Sequence, residues 1–230
     1  MKTDTAHVHG FIICFIGIDG SGKTTLARAL LSSLQEHGIP CEYVWGRFGS
    51  VLVDRLVFLY KKAVMRRKQK PDCPEDFQKV KSWFFHHRFT NLLYASFVLV
   101  DYLWQVLWKI WRPHLRRKNL VCDRYVQDSI FDLAVDLGFS VPTCLKILDL
   151  YLRLAPEPDM IFIIDLPEQV ALARKGDIPS LEYLCSRQEL YSRLKNTKGY
   201  ITLNGTVPPE QLHHQTLSMI LPFMEGILHE

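Results

Sequence analysis

The sequence predicts an α/β fold, a parallel sheet flanked by helices, and two observations carry that expectation. Short apolar runs that read as buried strands alternate with longer segments whose apolar residues recur at helical spacing. The opening unit is also strand, glycine-rich loop, helix, strand, which is the order of a βαβ unit. Phe11 to Ile16 is an unbroken apolar run, as a strand covered on both faces requires. After the loop, Leu26, Leu30, Leu31 and Leu34 form a helical stripe that stops at Gly38 and Pro40. Cys41 to Trp45 follows as a second strand.

Residues 50 to 112 interrupt the alternation. Val51 to Met65 and Phe77 to Trp111 read as helices on either side of a break at Lys70-Pro71-Asp72-Cys73-Pro74, the second long enough to be two. The βαβ order returns with Leu120-Val121-Cys122 as a strand. Val126, Ile130, Leu133 and Leu137 then give a helix stripe closed by Gly138. A helix over Thr143 to Leu154 ends ahead of Pro156 and Pro158. Met160 to Ile164 is a fourth strand and Tyr200 to Leu203 a fifth, with helices at Pro167 to Lys175 and Leu181 to Leu194 between them. From Pro209 a terminal helix runs on, with Pro222 as its expected kink. No repeat, low-complexity tract or linker divides the 230 residues, so the expectation is one domain over 1–230 with a helical insertion at about 50–90.

Composition is that of an ordinary globular chain, 48% apolar and 23% charged, and a net charge of +4 is too small to argue for a nucleic-acid partner. Cys14, Cys41, Cys73, Cys122, Cys144 and Cys185 are scattered with no C-x-x-C pair, and three of them fall in strand-like runs. They read as reduced thiols of a cytoplasmic protein rather than disulfides or a zinc site. Met1 to Gly10 is polar where a signal peptide would be apolar, and the run after it is too short for export. His7 and His9 read as inert.

Chemistry enters with Gly17-Ile18-Asp19-Gly20-Ser21-Gly22-Lys23-Thr24, a full match to G-x-x-x-x-G-K-[ST] with a strand before it and a helix after. The glycines let the backbone curl until successive N–H groups point at phosphate oxygens, and the helix start adds its positive dipole end. Lys23 is placed to reach the β- and γ-phosphates of ATP, and the Thr24 hydroxyl to hold Mg²⁺. Thr25 is placed to assist at the α-phosphate. A second candidate is Asp123, at the end of the third strand, where it would support the metal. The alternative role for a strand-end aspartate is capping the next helix. Arg124 beside it is placed to hold a phosphate between donor and acceptor. A third is the charge-rich lid at about 174–187, with Arg174, Lys175, Gly176, Asp177, Glu182 and Arg187, followed by Arg193. Phosphoryl transfer needs positive charge on the migrating group, and a lid carrying arginine supplies it while excluding water. A solvated basic helix is the plainer reading of the same residues.

With these pieces placed, the sequence resembles the thymidylate kinase family of nucleoside monophosphate kinases. The resemblance rests on Gly17 to Thr25, on Asp123-Arg124-Tyr125, on Glu157 to Asp165 followed by Pro167-Glu168, and on the lid and the turn Asn204-Gly205-Thr206-Val207. It implies a P-loop kinase fold, a five-stranded parallel sheet wrapped by helices, with ATP and Mg²⁺ as cofactors. It implies that Asp19 approaches the acceptor sugar, that Arg124 contacts the acceptor or transferring phosphate, and that Tyr125 crowds the sugar's 2′ side. Arg174 becomes the leading lid arginine, and Asn204 and Val207 border the adenine. Two segments depart from the family pattern. Trp45-Gly46-Arg47-Phe48-Gly49 stands where the family carries Arg-Glu-Pro-Gly-Gly, leaving Arg47 as the candidate for the acceptor phosphate. Asp101-Tyr102-Leu103 stands where the family places an arginine that helps read thymine.

Leu92 to Trp111 has only Asp101 and Lys109 charged and is long enough to span a bilayer, which would put Asp101 near the hydrocarbon centre at a cost of about 3 kcal/mol. A buried helix with Asp101 turned toward the active site avoids that cost and is the expectation. Lys61, Lys62, Arg66, Arg67, Lys68 and Lys70 near Trp and Phe residues raise association with a membrane surface as a second reading. Trp83, Phe84, Phe85, His86 and His87 are expected in the core, with an acceptor pocket or a homodimer interface as alternatives. The functional expectation is transfer of the ATP γ-phosphate to a (deoxy)nucleoside monophosphate such as dTMP. A small-molecule acceptor of another kind, or a nucleotide-binding module without catalysis, are the competing readings.

Overall fold

Strands β1 (Ile12–Ile16), β2 (Cys41–Trp45), β3 (Asn119–Asp123), β4 (Met160–Asp165) and β5 (Tyr200–Asn204) form one sheet in the order β2-β3-β1-β4-β5. Every pairing is parallel. The protein is seen here in a computed structural model that describes residues 10–47, 88–175, 180–195 and 197–228, with the backbone alone for 88–93 and 225–228. The expected elements at Val51 to Met65 and the aromatic cluster Trp83 to His87 fall outside those residues.

β1 occupies the middle of the sheet because all five of its residues are apolar and fully buried, so both faces must be covered. Alternate residues serve opposite layers. Ile12, Cys14 and Ile16 face one way and join Leu120, Cys122, Ile161 and Ile163 in a core covered by α2 (Arg88–Val106), α4 (Val126–Leu137), α5 (Val141–Leu154) and α7 (Leu181–Leu194). Ile13 and Phe15 face the other way and pack with Val121, Phe162, Ile164 and Leu203 beneath α1 (Lys23–Glu36) and α8 (Pro209–Leu228). In that second layer Phe15 stacks on Phe162, ring centroids 5.4 Å apart. Cys14 and Cys122 sit side by side on neighbouring strands as free, buried thiols, and Cys41, Cys144 and Cys185 are free as well.

The helix ends follow the local chemistry. α4 stops at Gly138, which takes φ +65° as the left-handed residue that terminates a helix. α5 starts two residues earlier than its apolar pattern suggests because Ser140 caps it, its Oγ accepting from the Thr143 N–H. Pro222 lies inside α8 instead of ending it. The long helix expected up to Trp111 is broken in one respect. Between α2 and the short α3 (Arg112–Leu115), residues Leu107–Trp111 wind as a π turn. Among the described residues no helix is long and apolar enough to cross a membrane.

The C-terminal ends of the strands share one edge of the sheet, and each passes directly into a residue singled out above. β1 leads to the phosphate loop, β2 to Gly46-Arg47, β3 to Arg124, and β5 ends at Asn204. In open parallel sheets the crevice along that edge, where the strand order reverses direction, is where ligands bind.

Candidate active site

The loop after β1 turns sharply to enter α1. Gly20 has φ +83°, and a β-carbon there would lie 2.6 Å from the Ala171 carbonyl oxygen on α6 (Glu168–Arg174), so only glycine fits. Gly22 caps α1 in the left-handed conformation. Inside this curl the Lys23 ammonium folds back on its own loop, donating to the carbonyls of Gly17 (2.8 Å) and Ile18 (2.6 Å) and lying 3.5 Å from Ser21 Oγ. Burial, and after it the guanidinium of Arg124, draw its pKa down to about 7.

That depression has a measurable consequence. Phosphates placed against Lys23 favour its charged form and raise its pKa. ATP binding near pH 8 is therefore expected to take up a proton, seen as a binding enthalpy that varies with the ionisation enthalpy of the buffer. Binding heats that do not depend on the buffer would contradict this.

Thr24 and Asp123 are brought together. Thr24 Oγ1 donates to Asp123 Oδ2 at 2.6 Å, and the Tyr43 hydroxyl donates to the same oxygen at 2.7 Å. The second carboxylate oxygen, Oδ1, is buried and has no hydrogen-bond partner. An unsatisfied carboxylate oxygen beside a threonine hydroxyl is the donor set a hard cation takes when phosphates complete its shell. These residues therefore fit Mg²⁺. No cluster of three or more His, Cys, Asp or Glu side chains suited to a metal occurs among the described residues.

Arg124 has φ +76°, rare for a residue with a β-carbon. Its side chain pairs with Asp19 of the phosphate loop and, at 3.2 Å, with Asp128 one turn into α4. Gly46 packs against its backbone so closely that a β-carbon would overlap the Arg124 carbonyl oxygen. Gly46→Ala is accordingly expected to cost about 1–3 kcal/mol through forced backbone shifts, measured by urea unfolding. A variant as stable as the parent would mean that this approach is not tight.

The network also takes in Arg187, which sequence counted with the lid at about 174–187 and which is instead fixed in the interior, and two aspartates of α4. Arg187, on α7, is fully buried, with its guanidinium 3.1 Å from Asp19, 3.5 Å from Asp128 and 3.0 Å from Asp132. It lies between the rings of Tyr183 and Tyr191, 5.7 Å from each centroid. The Tyr183 hydroxyl donates to Asp132 at 2.9 Å. Asp132 also holds Arg47, at 3.2 Å. Phosphate loop, β2 exit, α4 and α7 are thus tied by alternating charges. Burial by itself would raise the Asp19 carboxyl, but Arg124, Arg187 and Lys23 hold it well below the usual carboxylate range. Asp128 and Asp132 were the residues sequence reasoning passed over. The signal was the spacing of Arg124, Asp128 and Asp132 at i, i+4 and i+8, which puts all three on one face of the chain entering α4.

On the other flank of the loop, Gly20, Ser21, Gly22 and Thr25 share a cleft of about 250 Å³ with Arg174 and Val207. Arg174 Nη1 donates to the Gly205 carbonyl at 3.2 Å. Asn204 shapes the turn, its Oδ1 accepting from the Thr206 N–H at 3.0 Å. Gly176 and Asp177 of the lid fall outside the described residues, and Arg193 is exposed and paired with Glu189.

One expected residue lies away from these groups, and another is placed on α2. Tyr125, expected beside the acceptor sugar, is fully buried in the core, with its hydroxyl donated to the Pro156 carbonyl. The left-handed backbone of Arg124 breaks the strand just before it, and Tyr125, itself extended, points inward. Asp101 is buried in α2, where Gln105 one turn on donates to it at 3.4 Å.

No protein-family model matches the chain. Among curated proteins, the thymidylate kinase of Fervidobacterium nodosum is 23% identical over 223 residues, 92% of this chain and 99% of that one. The probable thymidylate kinase of Methanocaldococcus jannaschii is 24% identical over 230 residues, 96% of this chain and 100% of that one. A stretch of 46 residues, 20% of the chain, is 54% identical to the adenylyl-sulfate kinase of Chloroflexus aurantiacus. Over most of its length, then, the chain is similar in sequence to several thymidylate kinases, and its five-stranded parallel sheet is the α/β arrangement of a P-loop kinase.

Proposed function

We propose that the protein is an ATP-dependent phosphotransferase of the thymidylate kinase kind, moving the γ-phosphate of ATP to a (deoxy)nucleoside monophosphate such as dTMP. The observation that carries this reading is the meeting of a buried lysine phosphate loop, the Thr24–Asp123 pair and the Arg124–Arg187 charge network along one sheet edge. The similarity to thymidylate kinases across most of the chain supports it.

In this reading the loop N–H groups cradle the phosphates of ATP, and Lys23 swings from the Gly17 and Ile18 carbonyls to the β- and γ-oxygens. Thr24 and Asp123 hold Mg²⁺, which when bound offsets charge on those oxygens. The adenine side takes the cleft between Arg174 and Val207, with Asn204 fixing the turn beside it. Arg124 receives the acceptor phosphate, Asp19 orients the acceptor and keeps Arg124 in place, and Arg47 is the second acceptor-side cation. Arg174 closes over the transferring group with the lid. The acceptor is already an oxyanion, so no general base is needed, and the catalytic work of Lys23, Arg124 and Arg174 is electrostatic.

A second reading keeps the donor site and changes the acceptor to a non-nucleotide small molecule. It is favoured by the acceptor side, where Arg47 stands in a segment that departs from the family pattern and is tied to Asp132 at 3.2 Å. ATP consumption by the purified protein against a panel of monophosphates, with Lys23→Ala as control, separates them. Turnover with dTMP that the control loses supports the first reading. Turnover only with a non-nucleotide supports the second, and ATP binding without turnover on any acceptor sinks both.

A further inference from the structure

α2 and the π turn hold Phe97, Val100, Trp104, Leu107 and Trp108 outward, each between 46% and 66% exposed, while Val98, Tyr102, Val106 and Ile110 face the core. The five form a stripe about 16 Å long at helical rise. Trp104 and Trp108 stack on one another with centroids 6.3 Å apart and nearly parallel rings. Five large apolar side chains on one exposed face make a patch of the kind that marks an interaction surface.

The charge around it has a single sign. Residues 88–118 contain six Lys and Arg and one acid, so this segment is strongly basic in a chain whose net charge is only +4. The acid, Asp101, is buried, and the exposed charges Arg112, Arg116, Arg117 and Lys118 are all positive. Next to the stripe a cleft of about 490 Å³ opens between Trp45 at the end of β2 and Trp108, bordered by Lys109, Arg112, Arg116 and Lys118. Arg112 lies over the Trp108 ring, 4.3 Å from its centroid, which joins cation and apolar face in one surface. The cleft's acid, Glu42, is already paired with Lys118.

We propose that this face docks the protein on the surface of an anionic phospholipid bilayer. The aromatic and aliphatic side chains enter the boundary between headgroups and acyl chains, and Arg112, Arg116 and Lys109 take headgroup phosphates in the cleft. A second copy of the chain is the poorer occupant, because a twofold pairing presents the same patch from both sides and brings two positive rims together. The proposal does not depend on the kinase reading, since none of these residues belongs to the phosphate loop or the charge network.

Flotation of the full chain tests it, with vesicles of phosphatidylcholine alone and of phosphatidylcholine mixed with phosphatidylglycerol. Binding to the mixed vesicles is expected to exceed binding to the neutral ones at least about tenfold and to weaken with added salt. Brominated acyl chains are expected to quench the tryptophan fluorescence, which needs no variant. Trp104→Glu and Arg112→Glu/Arg116→Glu are each expected to abolish flotation while leaving ATP binding and thermal unfolding unchanged. Equal partition into both vesicles, absence of quenching, or flotation that survives both variants overturns the proposal. So does a dimer that Trp104→Glu dissociates in a protein that ignores vesicles, which would assign the face to a second copy.

Discussion

Arg187→Ala is expected to lower the folding free energy by about 3–5 kcal/mol, a large share of the roughly 5–15 kcal/mol typical of a domain. The reason is that its three partners stay behind. Asp19, Asp128 and Asp132 keep their burial and lose their shared cation, leaving Arg124 and Arg47 to hold them. Urea unfolding reads the loss. The sign of its pH dependence follows from Asp19, whose carboxyl is held below its unfolded value in the intact network. Such a group stabilises the fold above its unfolded pKa of about 3.9, and that stability drains away as pH falls toward the folded value. Without Arg187 the depression shrinks, so parent and variant should converge as the solution is acidified. Arg187→Met/Asp128→Leu, which removes charge from both sides, should lie closer to the parent than Arg187→Met alone. A loss below about 0.5 kcal/mol for Arg187→Ala would mean the guanidinium is not integral to the core.

Lys23→Ala should act in the opposite manner, on turnover and not on stability. If the lysine meets charge that develops on the γ-phosphoryl group, kcat falls on the order of 10³-fold, the scale of losing one preorganised donor in a dry site. The fold should not suffer. A lysine whose folded pKa lies below its unfolded value of about 10.4 detracts from stability at every pH below that value, most fully below the folded value near 7. Taking the ammonium out of its buried position removes that cost. The variant should unfold at the parent's temperature or above it at neutral pH, and a variant both inactive and markedly less stable would leave the role of Lys23 in transfer unsupported.

These two residues also mark where sequence suffices and where it stops. Lys23 could be placed from spacing alone, because a tight phosphate-binding turn constrains the backbone conformation of each glycine and so dictates residue types locally. The strands were readable for a related reason, since a strand covered on both faces must be apolar along its buried length, as β1 is and as Leu120 to Cys122 of β3 are. Arg187 could not be placed. Within a charge-rich lid the plainer reading is a solvated helix, and nothing local distinguishes an arginine turned outward from one paid for by three distant carboxylates. Asp128 and Asp132 were hidden by the same ambiguity, being polar residues on a helix whose apolar stripe drew the eye to its other face. Tyr125 shows the converse limit. Its neighbour Arg124 pairs with Asp19 of the phosphate loop, and the left-handed backbone at Arg124 sends the tyrosine to the core, a distinction of one residue that no motif encodes.

The π turn at Leu107–Trp111 sets the angular phase of everything that follows it. A wide turn adds one residue to the helical winding, so α3 is rotated by about 100° from where an unbroken α-helix would carry it. Deleting a single residue within 107–111 would restore regular pitch and leave the residues downstream in the phase they now hold. Winding all five as α-helix instead would carry Arg112 away from the ring of Trp108 and turn α3 off its present face. One extra residue thus works as an indexing step that lets a single rod present an apolar stripe and a cationic cleft side by side.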